Sequence, residues 1–203
     1  MTQEVQNFEK SICKFTGAKY CLGVNSGTDA LLMSLWSSGI SKNDEVITVS
    51  NSAIPTVSAI ISAGAKAVFI DIGNDFLMDA DEIQKYINKN TKAIIPVHLY
   101  GQACDMEKIC KIAKRNNLKV IEDCAQSLGA ELQKGKAGIF GDFSCYSFHA
   151  QKNITTLGEG GMLYVKDKKS EKVKKVVPVA VGLSTAALVA SKVAKTPTKK
   201  VGK

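Results

Sequence analysis

The sequence predicts an α/β domain: a mostly parallel seven-stranded sheet with flanking helices. Seven apolar runs of six to nine residues alternate with longer runs whose apolar residues recur at i, i+3 and i+4. At 203 residues, 45% hydrophobic and 23% charged, the chain is long and apolar enough to bury a substantial core. The last two apolar runs are too close together to accommodate a crossover helix, so an antiparallel element is expected there.

The elements follow in order. YCLGVNS (20–26) reads as a strand, and GTDALLMSLWSSG (27–39) as a helix closed by Gly39. EVITVS (45–50) and AKAVFID (65–71) are strands that bracket the helix PTVSAIISAG (55–64). DADEIQKYINK (79–89) has helical spacing and leads into the strand KAIIPVHLY (92–100). DMEKICKIAKRNN (105–117) is a helix capped by Asp105. LKVIEDC (118–124), FSCYSFH (143–149) and GGMLYVKD (160–167) complete the set of strands. The pattern stops near residue 167, which predicts a domain over 1–167 and a Lys/Ala/Val-rich basic tail over 168–203.

Charge divides along the same line. Residues 1–165 carry 16 basic and 17 acidic side chains, whereas 166–203 carry 11 and 2. The net charge of +8 therefore belongs to the tail. With no basic stripe on the body, and Arg115 as the only arginine, nucleic acid is not an expected partner. Val176 to Ala194 approaches the length of a membrane span. Pro178, Gly182, Ser184, Thr185, Ser191 and Lys192 leave it too weakly apolar for one, and no membrane association is expected. The opening MTQEVQNFEKSICKF has no continuous apolar stretch, so no secretory signal is visible and a cytoplasmic protein is expected. Cysteines 13, 21, 104, 110, 124 and 145 form no CxxC pair and have no histidine at ligand spacing. They read as structural thiols of a reducing compartment, with neither a metal site nor a disulfide framework.

Three stretches carry candidate chemistry. Asn25-Ser26-Gly27-Thr28 joins a strand to a helix, whose N-terminal amides and dipole suit a phosphate as well as they suit an ordinary N-cap. Glu122-Asp123-Cys124-Ala125-Gln126 ends a buried strand, where open α/β sheets place their ligands. Adjacent carboxylates on a strand point to opposite faces, so one of the two can enter a pocket while the other serves the structure. Ser147, His149 and Lys152 follow the next strand and precede the turn-forming GEGG (158–161). His98 reads either as a cover for a bound ring or as a satisfied core histidine. A lysine able to form a Schiff base and a carboxylate able to pair with a pyridinium nitrogen are the two groups that pyridoxal phosphate chemistry requires, and Lys152 with Asp123 supplies them. No Ser/His/Asp order, HxxxH or Walker signature supports hydrolytic, zinc or nucleotidase chemistry.

Together these stretches resemble the DegT/DnrJ/EryC1/StrS family, the sugar aminotransferases of pyridoxal-phosphate fold type I. The resemblance covers roughly residues 4–170 and rests above all on VIEDCAQS followed by SFHAQKN, with GVNSGTDALLMSLWSSGI, TKAIIPVHLYGQACDMEKI and GEGGML in order around them. It implies transfer of an amino group from an amino acid, glutamate, to a keto nucleotide-sugar in polysaccharide biosynthesis, with pyridoxal 5'-phosphate as cofactor. It further implies that Lys152 carries the internal aldimine and shuttles the proton, and that Asp123 keeps the pyridine nitrogen protonated. Gln126 lies beside the ring in this reading, and Gly27, Thr28 and Ser147 bind the phosphate. Members act as homodimers with the site at the interface.

The chain departs from the family in two respects. NSAIPTVSAI has Ala53 where members place an aromatic ring, which leaves His98 as the nearest candidate cover. Members also run to about twice this length, with a small C-terminal domain that is absent here and a longer amino-terminal arm. An alternative reading is therefore a truncated, catalytically incompetent fragment or partner subunit. The family's sugar dehydratases are a further alternative, but they replace the aldimine lysine with histidine, and Lys152 counts against them.

Overall fold

The computed structural model describes residues 3–156 and 158–166. Its strands are β1 (Tyr20–Val24), β2 (Glu45–Val49), β3 (Lys66–Ile70), β4 (Thr91–Ile94), β5 (Lys119–Asp123), β6 (Glu131–Leu132), β7 (Gly135–Lys136), β8 (Phe143–Ser147) and β9 (Gly161–Val165). The helices are α1 (Gln3–Thr16), α2 (Gly27–Ser37), α3 (Ile54–Ser62), α4 (Ile83–Tyr86) and α5 (Met106–Arg115). Seven strands form one sheet in the order β1-β9-β8-β5-β4-β2-β3, while β6 and β7 pair as a separate hairpin. The pairs β2–β3, β2–β4, β4–β5 and β5–β8 are parallel, and β9 runs antiparallel to both β1 and β8. The expected fold class and the expected antiparallel element are both present.

Each strand is shorter than its apolar run, for local reasons. Asn25 and Ser26 leave β1 because Ser26 is the N-cap of α2, its hydroxyl accepting the Asp29 N–H at 3.0 Å. β4 stops short of Pro96, which has no N–H to give the ladder, and the chain rejoins β5 only through a bridge between Val97 and Asp123. The helix expected over 79–89 shrinks to the four residues of α4. Asp79 turns its carboxylate onto the Asp81 N–H at 2.9 Å, and the Asn88 amide oxygen accepts the Asn90 N–H at 2.8 Å. Such local side-chain bonds compete with helix formation.

Alternate residues of β8 and β9 serve two cores. Phe143, Cys145, Leu163 and Val165 join a large cluster with Leu31 and Leu35 of α2, Ile60 of α3 and Ile109 of α5. Tyr146, Met162 and Tyr164 face the other way, onto Ile12 and Cys13 of α1. Both faces of the sheet are therefore covered at β8 and β9. Leu35 is fully buried, so its truncation to alanine removes roughly 2–5 kcal/mol.

The helix α1 was not anticipated, because its polar composition hid a narrow stripe of Glu9, Ile12, Cys13 and Thr16. That stripe packs on β1, an edge strand, and Glu9 Oε1 accepts the Gly23 N–H at 2.9 Å. Phe8 meets Phe148 edge to face, with ring centroids 4.9 Å apart. All six cysteines are free. Among the described residues no helix is long and apolar enough to cross a membrane. The basic tail 168–203, including Val176 to Ala194, lies outside the described residues.

Candidate active site

The C-terminal ends of β1, β2, β5 and β8 all open onto one cavity of about 290 Å³, at the small end for ligand sites. Gly161, the first residue of β9, pairs on one side with Val24 and on the other with Ser147. The register therefore draws the start of α2 against the end of β8. A Cβ on Gly161 would lie 2.3 Å from the Ser26 carbonyl oxygen, and one on Gly27 would lie 2.9 Å from Ser147 Cβ. Glycine at both positions permits this approach. Gly27, Thr28 and Ser147 consequently share one wall, where first-turn amides without helical partners and the positive end of α2 favour an anion.

Asp123 ends β5 at the floor of the cavity, with 4% of its surface exposed. Its Oδ1 accepts the Ala125 N–H at 3.1 Å and its Oδ2 accepts the Thr56 hydroxyl at 2.8 Å. Burial pushes the Asp123 carboxyl above the usual carboxylate range; the Thr56 and Ala125 hydrogen bonds, with His98 and Lys152 nearby, pull it back.

Glu122 leaves the strand on the opposite face. Its carboxylate accepts the N–H groups of Gly138, Phe140 and Gly141 at 2.8, 2.8 and 2.6 Å, pinning the loop between β7 and β8. It also lies 3.0 Å from His98 Nε2. His98 Nδ1 accepts the Cys104 N–H at 3.1 Å, which only an unprotonated Nδ1 can do. Although its polar neighbours pull the pKa of the ring upward against the desolvation, this bond fixes the Nε2–H tautomer, donating to Glu122. His98 is therefore a core histidine, fully buried, and does not cover the cavity. The potential ligand atoms of His98, Glu122 and Cys124 lie within 4.8 Å of one another. The histidine nitrogens are already committed, and burial pushes the Cys124 thiol up to about 11, away from the thiolate a metal takes.

Lys152 sits on a loop folded back on itself. The Lys152 N–H donates to the His149 carbonyl at 2.9 Å, the Thr156 N–H to the Phe148 carbonyl at 3.0 Å, and the Phe148 N–H to the Gly160 carbonyl at 2.8 Å. Across the mouth of the loop His149 Nε2 and Glu159 Oε1 are 3.2 Å apart. Phe148, held by Phe8, anchors the loop at its start.

The six residues to which the resemblance assigns catalysis and cofactor binding, Gly27, Thr28, Asp123, Gln126, Ser147 and Lys152, line this one cavity, whereas His98 does not. Ala53 lines it too, as the exposed N-cap of α3, with no side-chain cap bond. Ser52 and Thr56 were missed. Both lie in the segment where the sequence showed only the missing aromatic ring, and their sole signal was a pair of hydroxyls at i, i+4 spacing on a helix start.

The DegT/DnrJ/EryC1/StrS aminotransferase family model matches residues 1–187. The chain is 43% identical over 169 residues to the dTDP-3-amino-3,4,6-trideoxy-alpha-D-glucose transaminase of Micromonospora megalomicea subsp. nigra, covering 83% of this chain and 45% of that protein. It is 44% identical over 165 residues to the GDP-perosamine synthase of Escherichia coli O157:H7, covering 81% and 45%. The chain thus spans under half the length of these curated relatives. Its fold resembles the crystal structure of NtdA from Bacillus subtilis with bound cofactor PMP. That match has a TM-score of 0.81 at 30% identity and covers 96% of this chain and 48% of the other.

Proposed function

The chain belongs to the DegT/DnrJ/EryC1/StrS aminotransferase family, and on that premise we propose that its cavity binds pyridoxal 5'-phosphate. In this reading residues 1–167 are the cofactor-binding domain of a cytoplasmic enzyme. It transfers an amino group from an amino acid, glutamate, to a keto nucleotide-sugar. The observation that carries the proposal is the convergence of Lys152 and Asp123 on one cavity whose other wall is the N-terminus of α2.

The residues present fit this cofactor. The Gly27–Ser147 contact leaves α2 amides open to a phosphate, and the carboxylate of Asp123 lies in the cavity floor with lone pairs to spare. When bound, the cofactor supplies an electron sink for the carbon that gains or loses the amino group. Lys152 Nζ would hold the cofactor covalently and would serve as the base and acid that moves the proton. Asp123 would hold a proton on the ring nitrogen, Gln126 would orient the ring, and Gly27, Thr28 and Ser147 would bind the phosphate.

A second copy of this chain is the proposed partner. Ile54, 80% exposed, lies between the cavity-lining Ala53 and Pro55. Phe76 and Tyr100, also exposed, meet edge to face at 6.5 Å, and Gly101 donates its N–H to the Gln126 carbonyl beside the cavity. An apolar rim of this kind next to a site marks an interface.

Titration of the purified chain with pyridoxal 5'-phosphate tests the cofactor reading. A near-visible absorbance band that is present in the wild type and lost in Lys152→Ala is expected. A wild type without the band overturns the reading in favour of a folded fragment that cannot bind the cofactor. Sedimentation with and without cofactor reports the dimer.

A further inference from the structure

Asp123 is served by a chain of two hydroxyls. Thr56 Oγ1 lies 2.8 Å from Asp123 Oδ2, and Ser52 Oγ lies 2.6 Å from Thr56 Oγ1. A carboxylate only accepts, and its other oxygen already takes the Ala125 N–H, so Thr56 is the donor in the first bond. Its single proton is then used, and the second bond must run from the Ser52 hydroxyl to the Thr56 oxygen. The direction is fixed: Ser52 donates to Thr56, which donates to Asp123. Aligned donors of this kind polarise one another and strengthen the terminal bond.

The placement of the two hydroxyls is unusual for a helix start. Ala53, the N-cap of α3, makes no side-chain cap bond, and Pro55 occupies the first turn. The hydroxyls flanking this cap turn inward to the carboxylate, while Ser52 and Thr56 both line the cavity. Thr56 is 1% exposed, and its hydroxyl is engaged by Asp123 and Ser52.

We propose that Thr56, oriented by Ser52, is the positioning residue for Asp123: the relay fixes the plane of the carboxylate so that its unused lone pairs face the cavity, and it stabilises the ionised form. The proposal rests on the reading of the cavity as a pyridoxal 5'-phosphate site, in which those lone pairs receive the N–H of the ring nitrogen. Burial acts against ionisation of Asp123, so a donor supplied by the protein is what opposes the neutral acid.

The test compares the wild type with Thr56→Val, Thr56→Ser and Ser52→Ala, each titrated with pyridoxal 5'-phosphate. Cofactor affinity and the pH midpoint of the absorbance band are the readouts, with thermal unfolding of the unloaded chains alongside. Loss of a hydrogen bond to a charged group predicts that Thr56→Val binds the cofactor about tenfold more weakly or worse. Its band midpoint is expected to move up by about one pH unit. With Asp123 less firmly ionised once its Thr56 donor is gone, the ring nitrogen would carry less positive charge to repel the proton on Lys152 Nζ. Thr56→Ser should restore both values, and Ser52→Ala should fall between, because it removes only the outer donor. Thr56→Val with wild-type affinity and midpoint overturns the proposal, as does a loss of thermal stability with no change in either readout. Should Thr56→Val fail to fold, Ser52→Ala decides alone: a shift in both readouts supports the relay and no shift overturns it. A wild type with no band removes the cofactor reading and this proposal together, whereas a wild-type band indifferent to the hydroxyls removes this proposal only.

Discussion

Glu122 and Asp123 are consecutive buried carboxyl groups on β5, and they face opposite sides of the sheet. Glu122 gathers the amides of Gly138, Phe140 and Gly141, whereas Asp123 faces the cavity and Thr56. The same strand thus supplies one acidic group to the fold and one to the site. Removing each should produce a different loss.

Glu122→Ala leaves three backbone N–H groups and the His98 ring without their shared acceptor. Breaking a buried network of this kind should cost roughly 3–5 kcal/mol. Chemical denaturation of the purified variant measures it. A loss below about 1 kcal/mol would show that water or the loop's own carbonyls replace the carboxylate.

Glu9 gives a pH-dependent prediction. Burial raises its carboxyl above the ordinary range, and the Gly23 N–H draws it only part of the way back. The folded state therefore favours the protonated acid more than the unfolded chain does. The stability this contributes is present below the unfolded pKa of about 4.3 and is lost as pH rises through the higher folded value. Glu9→Gln keeps an acceptor for Gly23 without titrating. Its melting temperature relative to wild type should rise between about pH 4 and pH 7, as followed by circular dichroism. A difference that stays flat across this range counts against the assignment.

Ala53 lines the cavity with an exposed methyl group at the position where the family resemblance expects an aromatic ring. Ala53→Phe should tighten pyridoxal 5'-phosphate binding by about 0.5–1.5 kcal/mol through ring stacking. Fluorescence titration would reveal it, and weaker binding would mean that this subsite is already filled by another group.

Much of this organisation was legible because it is local. The seven strands followed from apolar runs, and Gly39 and Asp105 marked helix ends where Gly39 has φ of 79° and Asp105 caps the Lys108 N–H at 3.0 Å. Opposite duties for Glu122 and Asp123 followed from the two-residue period of a strand. Other features depended on tertiary partners. The stripe of α1 is stabilised by β1 and Phe148, neither of which lies within its own window of sequence. The two-residue strands β6 and β7 are too short to show a period. Ser52 and Thr56 acquire meaning only when α3 brings them to Asp123, 67 residues beyond Thr56.

The position of β9 has a consequence for how the molecule comes into being. Among the described residues β1 has β9 as its sole neighbour in the sheet, and the two are separated by well over a hundred residues of chain. During synthesis Tyr20–Val24 must wait unpaired until Gly161–Val165 has emerged, because long-range pairing cannot precede its partner. The wall that joins Gly27 to Ser147 is therefore the last part of the cavity to be assembled. A nascent chain stopped before residue 161 lacks the strand whose register brings Gly27 against Ser147.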